Sequence, residues 1–263
     1  MRLASLLPIA ALLLATAARA ADVQTVLAPV RQQIEHSDYR ASGQLVRVDA
    51  GGNRVSYAIS IKGLWYAGAL HMLVDMAPPK HSAASAQQIG PVRILLEMHS
   101  DGHDSIRIFR PHQPTALLPF DKWDQSLLGG AFSYEDLLEP QFFWPDQTIL
   151  RSAVRGTHQC EVLKSTPGPS DHTHYSQVET WLDRAIDYPV YAEKTLKQDD
   201  AVKEFTYFGL RKSSGVWAAT QIEVKMRGRA GSTLLIINRG SAKANLNVND
   251  FNLAQLSRFE DRP

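Results

Sequence analysis

Gly43 to Asp75 reads GQLVRVDAGGNRVSYAISIKGLWYAGALHMLVD. Val55, Tyr57, Ile59 and Ile61 alternate with Ser56, Ala58 and Ser60, the period of a strand that buries one face. Residues 43–49, 54–62 and 65–75 are rich in Val, Ile, Leu, Tyr and Trp. Ala50-Gly51-Gly52-Asn53 supplies a turn between the first two segments, and Lys62-Gly63 marks another. The stretch therefore predicts an antiparallel meander. The same pattern recurs at 91–98, 105–110, 148–155, 158–164, 176–183, 189–197, 202–210, 217–227 and 232–239. Many strands on short turns, with few helices, predict a mainly β (α+β) fold built on one large curved antiparallel sheet.

Working outward, residues 22–37 carry Val23, Val26, Leu27, Val30 and Ile34 at helical spacing, interrupted by Pro29. An interior proline costs roughly 3 kcal/mol, so a kink or two short helices are expected there. Pro78 to Gly90 reads as a polar loop, 111–145 as a mixed stretch, and 250–256 as a short closing helix. No repeat or composition break divides residues 21–263, which predicts a single domain. Residues 1–20 place Arg2 before an apolar run and end in Ala18-Arg19-Ala20, the pattern of a cleaved secretory signal. Its removal deletes two arginines and no acid, and the mature protein is expected in the periplasm. No later stretch has the roughly eighteen apolar residues of a spanning helix.

The chain has 28 basic and 27 acidic residues, so no basic surplus exists to neutralise nucleic-acid phosphates. With 44% hydrophobic residues it is also no disordered polymer. G-x-S-x-G, H-E-x-x-H, C-x-x-C and G-x-x-x-x-G-K are all absent. Histidines cluster at His99 and His103, beside Asp101 and Asp104, and again in Asp171-His172-Thr173-His174. His172 and His174 would share a strand face and could meet one metal, as could His158 and Cys160. Solvated turns explain the first two clusters more simply, and a small buried hydrophobe explains Cys160. No catalytic residue, metal or cofactor is assigned. Glu135 and Asp136 look like a catalytic carboxylate pair, but Ser133 stands three residues before Asp136. That capping-box spacing predicts a short helix ended by Pro140, an architectural role. Trp65-Tyr66 and Phe142-Phe143-Trp144 would put aromatics on both faces of a sheet, either with one face lining a cavity or with both simply buried under loops.

Leu128-Gly129-Gly130-Ala131-Phe132-Ser133-Tyr134-Glu135-Asp136-Leu137 resembles the G-x-x-F-S-Y-E-D-L signature of LolA-like outer-membrane lipoprotein-sorting proteins. Other pieces resemble the family in order: Gly90 to Leu96, Ser105 to Pro111 with Phe109 in the aromatic place, His158 to Leu163, and Val178 to Asp183 with its Trp181. Ala131 stands where the signature usually has Asp. The resemblance spans about Tyr39 to Leu256. It implies an unclosed half-barrel whose concave face is covered by helices and holds acyl chains in transit.

The expected function is a non-enzymatic periplasmic carrier that shuttles a lipid or lipoprotein acyl chains between membranes. Its partners would be an inner-membrane transporter or an outer-membrane acceptor. Helix 22–37 is the expected lid. Trp65, Tyr66, Phe142, Phe143 and Trp144 are the expected wall or rim, and Phe132 to Asp136 the structural motif. Two alternatives stand beside it: a cargo-free accessory subunit docking on a membrane transporter through its sheet edge or loop 78–90, and a metal-dependent hydrolase using the histidine clusters.

Overall fold

The structure, a computed structural model, describes residues 22–78, 90–127 and 129–257. The expected signal segment and nearly all of loop 78–90 lie outside these. A helix, α1 (Val23–Glu35), leads into β1 (Asp38–Val48), β2 (Arg54–Tyr66), β3 (Ala69–Ala77), β4 (Val92–His99), β5 (Ser105–Phe109) and the two-residue β6 (Ala116–Leu117). The described residues of 118–145 carry short 3-10 turns and an isolated bridge between Ser126 and Ser133. Then follow β7 (Asp146–Arg155), β8 (His158–Thr166), β9 (Tyr175–Asp183), β10 (Tyr188–Leu196) and β11 (Val202–Phe208). A small hairpin of β12 (Arg211–Ser213) and β13 (Val216–Ala218) precedes β14 (Gln221–Met226) and β15 (Ser232–Ser241), and α2 (Leu253–Leu256) comes last.

Thirteen strands form one sheet in the order β6-β5-β4-β3-β2-β1-β15-β14-β11-β10-β9-β8-β7. All its ladders are antiparallel, and β6 and β7 are its unpaired edges. The chain starts at the centre, walks to one edge, crosses to the other, and returns until β15 pairs with β1. Residues 118–145 are that crossing. One core cluster joins Ile106 and Ile108 of β5, through Ile61 and Leu45, to Val224, Phe205 and Val178 of the opposite half. The sheet therefore wraps around its inner face without closing, as the sequence pattern and the resemblance led us to expect.

Three local expectations need correction. The turn expected at Lys62-Gly63 is not there: β2 runs through to Tyr66 and turns at Ala67-Gly68, both with positive φ. Gly63 serves a close approach instead, since a Cβ on it would stand 2.3 Å from the Tyr39 ring. Of the two outcomes expected at Pro29, two short helices are not formed: α1 runs unbroken through it. The carbonyl it leaves unpaired belongs to Thr25 on the exposed side, while Val26, Leu27 and Val30 on the buried side hold the helix down. Finally, the strand expected over 217–227 is two, β13 and β14, broken at Ala219-Thr220.

The expected helical cover is also only partly helical. Through Phe142, α1 packs on Leu163 and Leu182. The rest of the inner face is covered by the irregular crossing segment, in which Pro119, Pro140, Pro145 and a positive-φ Gly129 prevent a long helix. On the outer face, α2 and Phe251 cover Leu73, Leu95 and Phe109. No described helix is long and apolar enough to cross a membrane.

Candidate functional site: the inner face and its crossing segment

The crossing segment lies in the half-barrel as an apolar plug. Trp123, Leu127, Phe132, Leu138 and Trp144 are all buried within the inner core. Strand pairing explains why the face beneath is apolar. Along the ladders Ile61, Val74, Ile94 and Ile108 are successive partners, and so are Val178's neighbour strand residue Lys194 and, beyond it, Lys203. These two lysines, with the hydroxyls of Ser165, Thr180 and Thr233, interrupt a largely hydrophobic surface. The lysines are 2% and 4% exposed.

Three carboxylates pin the plug to the β9–β11 half of the sheet. Asp136 accepts from Lys203 Nζ at 2.8 Å and from the Tyr175 hydroxyl, with Lys194 Nζ 3.9 Å away. Burial pushes the Asp136 carboxyl up, but Lys203, Lys194 and these hydrogen bonds outweigh it and hold it below the usual range. Glu135, its neighbour in sequence, turns to other partners. It accepts from the Thr173 hydroxyl, from the His174 amide at 3.0 Å, and sits 2.9 Å from His174 Nδ1. Glu139 accepts from the Tyr207 hydroxyl at 2.9 Å. Burial first, and Glu139 second, push the phenols of Tyr39, Tyr188 and Tyr207 well up.

Ser133 does not cap a helix as its spacing suggests. The turn Glu135–Leu137 is a single 3-10 turn without a side-chain cap. The Ser133 amide and hydroxyl instead both donate to Asp136, at 2.8 and 2.9 Å, on the carboxylate oxygen that also accepts from Lys203.

The aromatic residues divide. Trp65 stacks on Phe143 with centroids 5.9 Å apart, and Trp144, Phe132 and Tyr134 share their core. Phe142 lies under α1, where its carbonyl accepts from Arg31 Nε at 2.6 Å. Tyr66 is on the outer face, stacked on His71 and close to Phe251.

The histidine clusters also have their own partners. His174 stacks on Phe120 at 4.2 Å while His172 lies 5.7 Å from the same ring. Together with Asp124, Asp171, Leu196 and Lys197 they line a cleft of about 270 Å³. His99 donates its amide to Asp104. His158 Nδ1 is 2.6 Å from Asp183, and Cys160 is buried on the outer face, its thiol pushed up to about 11 by burial and Asp183. Among the described residues no three His, Cys, Asp or Glu side chains come together as a metal site.

Sequence reasoning missed Lys194, Lys203, Tyr175, Glu139 and Tyr207. A signal existed: Lys203 alternates with Phe205 and Tyr207, and three acids fall within Glu135 to Glu139 amid aromatics.

Three solved structures share this architecture. A domain from Vibrio parahaemolyticus, described as an outer membrane lipoprotein-sorting protein domain, has a TM-score of 0.76 at 19% identity, covering 90% of this chain and 100% of that one. A DUF1329 family protein from Desulfovibrio piger has a TM-score of 0.75 at 18% identity, covering 89% and 98%. A LolA superfamily protein from Nitrosomonas europaea has a TM-score of 0.64 at 15% identity, covering 90% and 100%. At these identities the likeness is one of fold. No curated protein matches the chain. A family model described as "Uncharacterized protein" matches residues 93–258, from β4 to the end of α2 and so across the crossing segment and its lysine partners. The chain belongs to that family, and its fold is that of the LolA-like lipoprotein-sorting proteins.

Proposed function

We propose that the protein is a non-enzymatic periplasmic carrier that holds a lipid, or the acyl chains of a lipoprotein, against the inner face of its half-barrel. The observation that carries this reading is an unclosed sheet, apolar across its inner face, whose cover is a plug and one helix rather than a second sheet. Such a cover can be exchanged for an apolar ligand piece by piece. Burying the three inward residues of α1 is worth roughly 5–9 kcal/mol, whereas an acyl chain of about sixteen carbons gains on the order of 12 kcal/mol on leaving water. A single chain can therefore take the place of α1. A chain drawn from a bilayer brings no such gain, so loading would need an inner-membrane donor that supplies free energy. Unloading to an outer-membrane acceptor would be helped as α1 settles back. Trp65, Phe143 and Trp144 are the aromatic wall of this reading, with Phe142 under the helix.

Native mass spectrometry of the mature protein from periplasmic extract, with lipid extraction of the same sample, tests it. Lipid is expected at stoichiometric level, and delipidated protein should take up a fluorescent fatty acid. Ligand-free protein that takes up no probe would sink the carrier and leave a cargo-free accessory subunit as the better reading.

A further inference from the structure

Lys194 and Lys203 are direct cross-strand partners on β10 and β11, both buried on the inner face. Like charges placed opposite one another are destabilising, and a buried ammonium is costly unless paired. What meets them both is the Asp136 carboxylate: Oδ2 takes Lys203 at 2.8 Å, and Oδ1 takes the Tyr175 hydroxyl with Lys194 3.9 Å away. Three donors on three adjacent strands thus converge on one two-oxygen anion. The donors belong to the sheet, while the anion belongs to the plug.

We propose that this trio is the headgroup site of the ligand, taking a carboxylate or phosphate, and that Asp136 occupies it as an internal stand-in when no ligand is bound. The inference rests on the carrier reading. A ligand that moves the plug strips both lysines of their counter-charge on a dry apolar surface. An acyl chain ending in an anion restores the pairing, whereas a neutral one leaves the two ammoniums only the ring faces of Tyr175 and Phe205. Specificity therefore arises at Lys194, Lys203 and Tyr175, and the apolar face supplies only the affinity for the chain.

The test compares a fluorescent fatty acid with its methyl ester on the full mature chain. The acid should bind at least about tenfold tighter, the scale of a charge-assisted hydrogen bond. Lys194→Met should bring that ratio close to one, and Asp136→Asn should tighten acid binding by removing the competitor. Thermal melts of each variant identify any that fail to fold, and the wild-type acid-to-ester ratio then decides alone. Acid and ester bound equally by wild type would overturn the headgroup site and leave the carrier reading standing. Neither probe bound would overturn both. Inorganic phosphate that displaces the acid supports a site sufficient for a free anion. Acid preference that resists phosphate supports one that requires the whole lipid.

Discussion

Asp136 on the crossing segment and Lys203 on β11 meet at 2.8 Å with both side chains almost out of reach of water. Removing one partner of such a pair leaves an uncompensated buried charge, typically at a cost of roughly 3–5 kcal/mol. Asp136→Ala is expected to lower stability by that order in urea unfolding. Adding Lys194→Met and Lys203→Met should recover most of it, because an all-apolar core of similar volume has no charge to leave unpaired. The folded carboxyl titrates below its ordinary value, so its contribution is complete at neutral pH and disappears as pH falls through the folded value. Wild type should accordingly lose stability in acid more steeply than the triple variant. A triple variant as weak as Asp136→Ala would refute the pairing argument.

Gly43 sits at the bulge where the β1–β15 register shifts, and a Cβ there would lie 1.8 Å from the Ile236 carbonyl oxygen. Because the obstacle is backbone, the strands themselves must move. Gly43→Ala is expected to cost roughly 3 kcal/mol. Gly52, with a φ of 83° and nothing within 4 Å, carries only the conformational cost. Gly52→Ala should thus cost about 1 kcal/mol. Similar losses at the two sites, in thermal or urea unfolding, would contradict this division.

The same pair of glycines illustrates what can be read in a sequence. Alternation over Val55 to Ile61 depends only on neighbours along the chain, and so does the Gly51-Gly52 turn; both are in place. Gly43 and Gly63 act through Ile236 and Tyr39, whose positions are fixed by pairing, and Gly63 accordingly looked like a turn. The crossing segment has no period because the sheet beneath, rather than its own hydrogen bonds, holds it. Lys203 alternates with Phe205 and Tyr207, so its face is legible, but a buried lysine calls for a counter-charge. The distant Asp136 supplies it, and no local spacing connects it to Lys194 and Lys203.

Asp104 behaves in the opposite sense to Asp136. Burial, with Asp171, Glu135 and Asp101 nearby, pushes its carboxyl up to about 7 despite the amide of His99. The folded protein therefore holds this proton over a window in which the unfolded chain has lost it. Stability falls as pH rises from about 4 to about 7 and levels off above. Asp104→Asn keeps an acceptor for the His99 amide and removes the charge. It should remove that slope and raise stability at pH 8 by up to a few kcal/mol. An unchanged melting profile between pH 4 and 8 would show that Asp104 is solvated.

Helix α1 has a hydrophobic seat of its own. Leu27 is fully buried, and the cluster it joins contains Val26, Val30, Phe142, Leu163 and Leu182, separate from the main inner core. Leu27→Ala should weaken this seat by roughly 2–4 kcal/mol. If the helix is a lid, that loss falls on the local opening equilibrium rather than on global unfolding. Amide exchange over residues 23–35 should then quicken by two orders of magnitude or so, as the free energy demands. Uptake of a fluorescent fatty acid should speed up, while the main unfolding transition hardly moves. Should exchange in α1 instead stay tied to the global transition, with that transition lowered by the full amount, the helix is part of the cooperative core. Ligand would then have to enter beneath the crossing segment, where the three carboxylates and not Leu27 set the barrier.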